Sequence, residues 1–144
     1  MSVEARLSVK AELEQMPVLR QFVEDTAAAW QAAPDELADV ILAVDELATN
    51  SALHGYQGQP GTVEVLVRRS GTDLVVVITD QAAVFDPTQA PPPDLTLPLE
   101  LRPMGGVGLH LVRNMVDELR WRARPQGGNE LTLVKQAVFA AASD

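Results

Sequence analysis

Within DELATNSALHGY, Asp45 to Tyr56, an acid, an amide and an imidazole recur every four residues, at Glu46, Asn50 and His54. That spacing places them on one stripe of a helix. Such groups exchange protons and hold ligands, whereas Asn and His are mediocre helix formers that Lys, Gln or Arg would replace on a merely solvated surface. Wound as a helix, Leu37, Val40, Ile41, Val44, Leu47, Ala48 and Ser51 form the core face. Glu46, Asn50 and His54 fall about a quarter-turn to a third of a turn away, where side chains line a cleft beside the buried face. A solvated polar stripe has the same pattern, and a His in a last helical turn is favoured by the helix dipole alone. The stripe therefore needs company from elsewhere in the chain.

Part of that company is Asp80, at the end of an apolar strand, Leu74 to Thr79, with no helix behind it to cap. Gly105-Gly106-Val107-Gly108 then opens a helix. Glycines at a helix N-terminus let backbone N–H groups approach phosphate, although a flexible hinge has the same composition. The run is not G-x-G-x-x-G, because Leu111 stands where the third glycine belongs, and no βαβ unit surrounds it. Neither a Walker A run nor the eukaryotic kinase signatures occur.

The elements that must position these residues follow from period and punctuation. Val3 to Lys10 alternates weakly and reads as an edge strand. Pro17 to Ala33 reads as a helix with Pro17 in its first turn, and Pro34 starts a second that runs to about His54, with Gly55 past its end. Strands Thr62 to Arg69 and Leu74 to Thr79 flank Ser70-Gly71-Thr72-Asp73, a hairpin signal. Asp80 to Met104 has no helix period and six prolines, and a loop this long is usually functional, often a lid. A helix from about Leu109 to Glu118 and strands near Leu119 to Arg124 and Glu130 to Phe139 complete the chain. Helices on one face of a mixed or antiparallel sheet make a two-layer α/β sandwich of the α+β class.

The 144 residues suit one domain with a real core, 47% hydrophobic and 22% charged. A net charge of −9 argues against binding a nucleic-acid backbone. The absence of cysteine excludes disulfides, thiolate catalysis and Cys-based zinc sites, and is compatible with a reducing cytoplasm. No charged start leads into a long apolar run, so no signal peptide is expected. Leu74 to Ile78 is too short to span a bilayer, so a soluble protein is expected.

Taken in order, these pieces resemble the Bergerat-type (GHKL) ATPases, and among them the RsbW-like anti-sigma-factor serine/threonine kinases. DELATNSALHGY looks like the family's N-box, ITDQAAVFDP like its first glycine box, GGVGLHLVRNMVDEL like the second, and GGNELTL like the final strand box. The resemblance covers nearly the whole chain and implies a single histidine-kinase-like ATPase domain over residues 1–144, with an ATP lid at about 81–108. It implies Glu46 as general base and Asn50 as the Mg²⁺ ligand. Asp80 would accept from the adenine amino group, supported by Thr132. Gly105, Gly106 and Gly108 would hold phosphates, with Ala82, Phe85, Val107 and Leu109 also at the nucleotide. His54 would order the N-box. The chain departs from the family at Ala82, where members usually have glycine, and a backbone of positive φ there would make Ala costly.

The resemblance further implies ATP and Mg²⁺ as cofactors, and a cytoplasmic anti-sigma factor, commonly a homodimer, without direct nucleic-acid or membrane binding. Its partners would be a sigma factor and a STAS-domain anti-anti-sigma protein, the latter being the phosphorylation target. Ala82 keeps a second reading open, a nucleotide-responsive partner-switching module with little or no kinase activity. A histidine kinase catalytic domain is disfavoured, since no dimerisation helix or phospho-acceptor His segment is expected ahead of the domain.

Overall fold

The structure, a computed structural model, describes residues 3–57, 59–89, 96 and 106–141, with 54, 89 and 106–110 described by backbone alone. Strand β1 (Val3–Lys10) leads through a short 3₁₀ turn into α1 (Met16–Ala29), and α2 (Pro34–Asn50) follows. Next come β2 (Thr62–Ser70), β3 (Asp73–Asp80), α3 (Gly106–Met115), β4 (Glu118–Ala123) and β5 (Asn129–Lys135). The five strands form one sheet in the order β1-β2-β3-β5-β4, and every pairing is antiparallel. This is the expected two-layer α+β sandwich.

Strand alternation sorts the side chains into two faces. Val63, Val65 and Val67 of β2, Leu74, Val76 and Ile78 of β3, and Leu131 and Leu133 of β5 point to the helices and are buried. They meet Leu19, Val23 and Ala27 of α1 and Val40, Val44 and Leu47 of α2 in one core cluster. Arg20 joins Asp45 across α1 and α2 at 3.1 Å. Lys135 Nζ reaches Asp39 Oδ2 at 3.1 Å and donates to the Met115 carbonyl at 2.6 Å, tying α2 and the end of α3 to β5.

Three boundaries differ from the sequence reading for physical reasons. Helix α1 stops at Ala29 rather than Ala33, because the chain turns at Gln31 (φ 68°) and Ala33 is extended ahead of Pro34. Helix α3 starts at Gly106, so the described glycines lie inside its first turn rather than ahead of it. Strand β5 ends at Lys135 because the chain turns at Ala137 (φ 58°) and drops Val138 and Phe139 into the core, both N–H groups donating to the Thr72 carbonyl.

Candidate functional site

Helix α2 brings Glu46 and Asn50 to the edge of its buried face, both half-buried, one turn apart. Beyond Asn50 the helix widens into a π-helical turn, Ser51–Gly55, closed by the Tyr56 N–H on the Ser51 carbonyl at 3.1 Å. Such turns hold an extra residue, so His54 no longer follows the stripe at helical spacing, and its side chain lies outside the described residues. Ser51, where the turn begins, keeps helical dihedrals and stays on the buried face of α2.

Asp80 ends β3 on the helix-facing side and is only 6% exposed. A buried carboxylate is stable when donors surround it, and four do so here. Ser51 Oγ donates to Oδ2 at 2.6 Å. Oδ1 accepts from the Ala82 N–H at 3.0 Å, the Asn129 N–H at 3.1 Å and Asn129 Nδ2 at 2.9 Å. Asn129 also donates to the Ala83 carbonyl at 3.0 Å and accepts from the Phe85 N–H at 2.9 Å and Trp121 Nε1 at 2.8 Å. One amide thus locks the acid, the segment that follows it and the edge strand β4.

Tyr56 and Arg124 hold the same corner. The Tyr56 hydroxyl accepts from the Gln81 N–H and donates to the Thr62 carbonyl, each at 2.7 Å, while Arg124 donates to the Asp80 carbonyl at 2.9 Å. Gly128 (φ +95°) lets β5 pass against the end of β3, since a Cβ there would stand 2.0 Å from the Asp80 carbonyl oxygen. Ala82 does not have positive φ, so its backbone carries none of the strain the sequence raised. Its methyl is buried where a Cβ at Gly55 would come within 2.9 Å. Past Phe85, Asp86 caps a 3₁₀ turn at Pro87–Gln89 through the Thr88 N–H at 2.8 Å, and Arg113 of α3 donates to the Pro87 carbonyl at 2.9 Å.

Several of these groups line one small pocket that opens to solvent, a space of about 40 Å³ with Leu47, Phe85, Pro87 and Leu131 as apolar walls beside Asn50, Ser51 and Asp80. Its Asn50 edge holds the one buried side-chain polar atom without a hydrogen-bond partner among the described residues, Asn50 Nδ2. The pocket is apolar with a few convergent polar groups, the usual make-up of a small-ligand site.

Of the residues proposed from sequence, the structure brings Asn50, Asp80 and Phe85 to this pocket, with Ala82 bonded to the acid. Thr132 is not brought there. It pairs with Val77 and Arg120 on the sheet face away from the helices, because Asn129, Leu131 and Leu133 take the inward positions of β5. The support assigned to Thr132 belongs to Asn129. Gly106, Val107, Gly108 and Leu109 form the first turn of α3, which packs on α2, while Gly105 and most of the supposed lid lie outside the described residues. Sequence reasoning missed Ser51 and Asn129, although both stand inside the quoted motifs.

A sheet-end acid, a helix carrying Glu and Asn beside it, and a third helix packed on that one stand together here, and similarity to known proteins gives the class of protein that carries them. The model of the histidine kinase-like ATPase domain family matches residues 9–135, and the chain belongs to that family. Among curated relatives, it is 33% identical over 97 residues to the serine/threonine-protein kinase BtrW of Bordetella bronchiseptica, covering 67% of this chain and 68% of that protein. It is 24% identical over 118 residues to the serine-protein kinase RsbW of Bacillus cereus, covering 79% of this chain and 74% of that one. Among solved structures, the RsbU and RsbW domains of a Mycobacterium tuberculosis protein superpose with a TM-score of 0.62 at 17% identity. The match covers 96% of this chain and 35% of that longer one, and it establishes the fold. No helix among the described residues is long and apolar enough to cross a membrane.

Proposed function

We propose that the protein is an anti-sigma factor with ATP- and Mg²⁺-dependent serine/threonine kinase activity, acting on a STAS-type anti-anti-sigma protein in a partner switch. Phosphorylation of that protein would free the kinase to bind its sigma factor, as a homodimer in the cytoplasm. The observation that carries this reading is the Asp80 carboxylate, buried and fixed by four donors, at an apolar pocket whose other edge is the partnerless Asn50 amide.

A flat base would enter from the solvent side between Leu47, Phe85 and Leu131, with Asp80 accepting from its exocyclic amino group. Asn50 fits a Mg²⁺ site. With Nδ2 unpaired, no hydrogen bond anchors that end of the amide, which can turn to offer its oxygen, and Mg²⁺ takes one or two protein oxygens with phosphate and water. When bound, Mg²⁺ supplies charge neutralisation at the phosphates. Glu46, one turn before Asn50, would receive the proton of the attacking hydroxyl, and the first turn of α3 would offer N–H groups to the phosphates. The lid over about 81–108 would close this site.

Asn50→Ala is expected to abolish Mg²⁺-dependent ATP binding while leaving the fold intact, since Ala is the better helix former. Calorimetry with unchanged Mg-ATP affinity would remove the ligand assignment. At Asp80, a guanine carbonyl would face the carboxylate in place of an amino donor. An unpaired buried group costs about 1–3 kcal/mol, so ATP should bind roughly tenfold or more tighter than GTP. Equal affinities would count against Asp80 as the base reader. The whole reading is tested by incubating the purified protein with labelled ATP and a STAS protein. Phosphate transfer supports it, whereas tight binding without transfer supports the module that only switches partners.

A further inference from the structure

The two oxygens of Asp80 face different neighbourhoods. Oδ1 is taken up inside the protein by the Ala82 N–H, the Asn129 N–H and Asn129 Nδ2, at 3.0, 3.1 and 2.9 Å. Oδ2 accepts from Ser51 Oγ at 2.6 Å, and Ser51 and Asp80 both line the pocket. A carboxylate oxygen has about two lone-pair sites, so Oδ1, with three donors, is more than filled, whereas Oδ2 has accepted one bond. The pocket is therefore offered one acceptor site on Oδ2, and directly beside it a hydroxyl with one rotatable hydrogen.

The geometry points to Ser51 as a second base-reading residue, one that supplies the donor to the ring nitrogen N1 of adenine. This rests on the nucleotide-binding reading above. In the free protein the hydroxyl hydrogen satisfies Oδ2. When adenine enters, its amino N–H takes the open site on Oδ2, and the Ser51 hydrogen swings to N1, the two oxygens parting slightly. One O–H···O contact is exchanged for an N–H···O and an O–H···N contact, and no proton changes owner. The amino group and N1 are attached to the same ring carbon, so they suit two oxygens already in hydrogen-bond contact.

Asp80 and Ser51 then present one acceptor and one donor side by side, the pattern by which an Asn or Gln amide reads adenine elsewhere. Guanine offers a carbonyl and an N–H in the same two places. Both contacts would be mismatched, so Ser51 adds to the discrimination that Asp80 begins.

The test is calorimetry at fixed Mg²⁺ with ADP, 1-deaza-ADP, in which a C–H replaces N1, and purine riboside diphosphate, which lacks the amino group. Wild type is expected to bind 1-deaza-ADP roughly tenfold more weakly than ADP, the effect of one hydrogen bond to a buried group. Ser51→Ala should bind ADP and 1-deaza-ADP alike, both near the wild-type value for 1-deaza-ADP. Equal binding of those two ligands by wild type would overturn the inference without any variant. A full tenfold gap persisting in Ser51→Ala would overturn it as well, by assigning the N1 donor elsewhere. Weak binding of purine riboside diphosphate alongside either result keeps Asp80 as the amino reader, so the Ser51 inference fails alone. Absence of ADP binding in wild type would sink the nucleotide reading together with this one.

Discussion

Glu46→Gln is expected to slow phosphate transfer to a STAS partner at least about a hundredfold, with Mg-ATP affinity almost unchanged. Glu46 and Asn50 lie one turn apart at the edge of the buried face of α2, and α3 packs on that helix. Under the proposed function the two side chains would have different tasks beside the same phosphates. As general base Glu46 would act on the incoming hydroxyl, a role worth roughly 10²–10⁴ in rate, whereas Asn50 as metal ligand would act on binding too. Gln keeps the shape and length of Glu but cannot take the proton. Measuring affinity and transfer rate on one preparation separates the roles, and equal transfer by wild type and variant would remove Glu46 as the base.

The largest effect on stability is expected from Gly128→Ala, a loss of about 2–6 kcal/mol. Two independent costs combine. At φ +95° a side chain is strained by roughly 1–3 kcal/mol. The new Cβ would also stand 2.0 Å from the Asp80 carbonyl oxygen and 2.6 Å from Gln81 Cα, both backbone atoms, and overpacking costs about 1–3 kcal/mol. Relief requires β5 to move off the end of β3, which would pull Asn129 from Asp80 and weaken nucleotide binding at the same time. Gly71→Ala is the control, because Gly71 has φ +62° with nothing within 4 Å of an added Cβ and so carries the strain without the clash. Urea unfolding that gave the two variants equal losses would refute the close approach at Gly128.

What was legible in the sequence depended on how local its signal is. The periods of α2, β2 and β3 lie within single segments, so the element order, the sheet-and-helix layering and the placement of Glu46, Asn50 and Asp80 could be read directly. Ser51 and Asn129 could not, because their partner Asp80 is 29 and 49 residues away and a polar residue in a motif does not announce which distant group it serves. Thr132 is a different case. Leu131 and Leu133 are core residues, so strand alternation alone turns Thr132 outward, and that local signal was overruled by the resemblance. The widened turn at Ser51–Gly55 has no period of its own and was read as the continuation of a helix.

The contact between Gly55 and Ala82 has an evolutionary consequence. The π-helical turn and the segment after Asp80 share a gap that holds a single methyl group, here carried by Ala82. Either position can own that methyl, but both cannot without pushing the turn off the acid. Two sites 27 residues apart in the chain are thereby made interdependent: a glycine lost from one is tolerated where the other has become a glycine. A relative with glycine at the position of Ala82 would be free to carry alanine at that of Gly55, and lineages would cross between the two arrangements most easily through an intermediate with glycine at both.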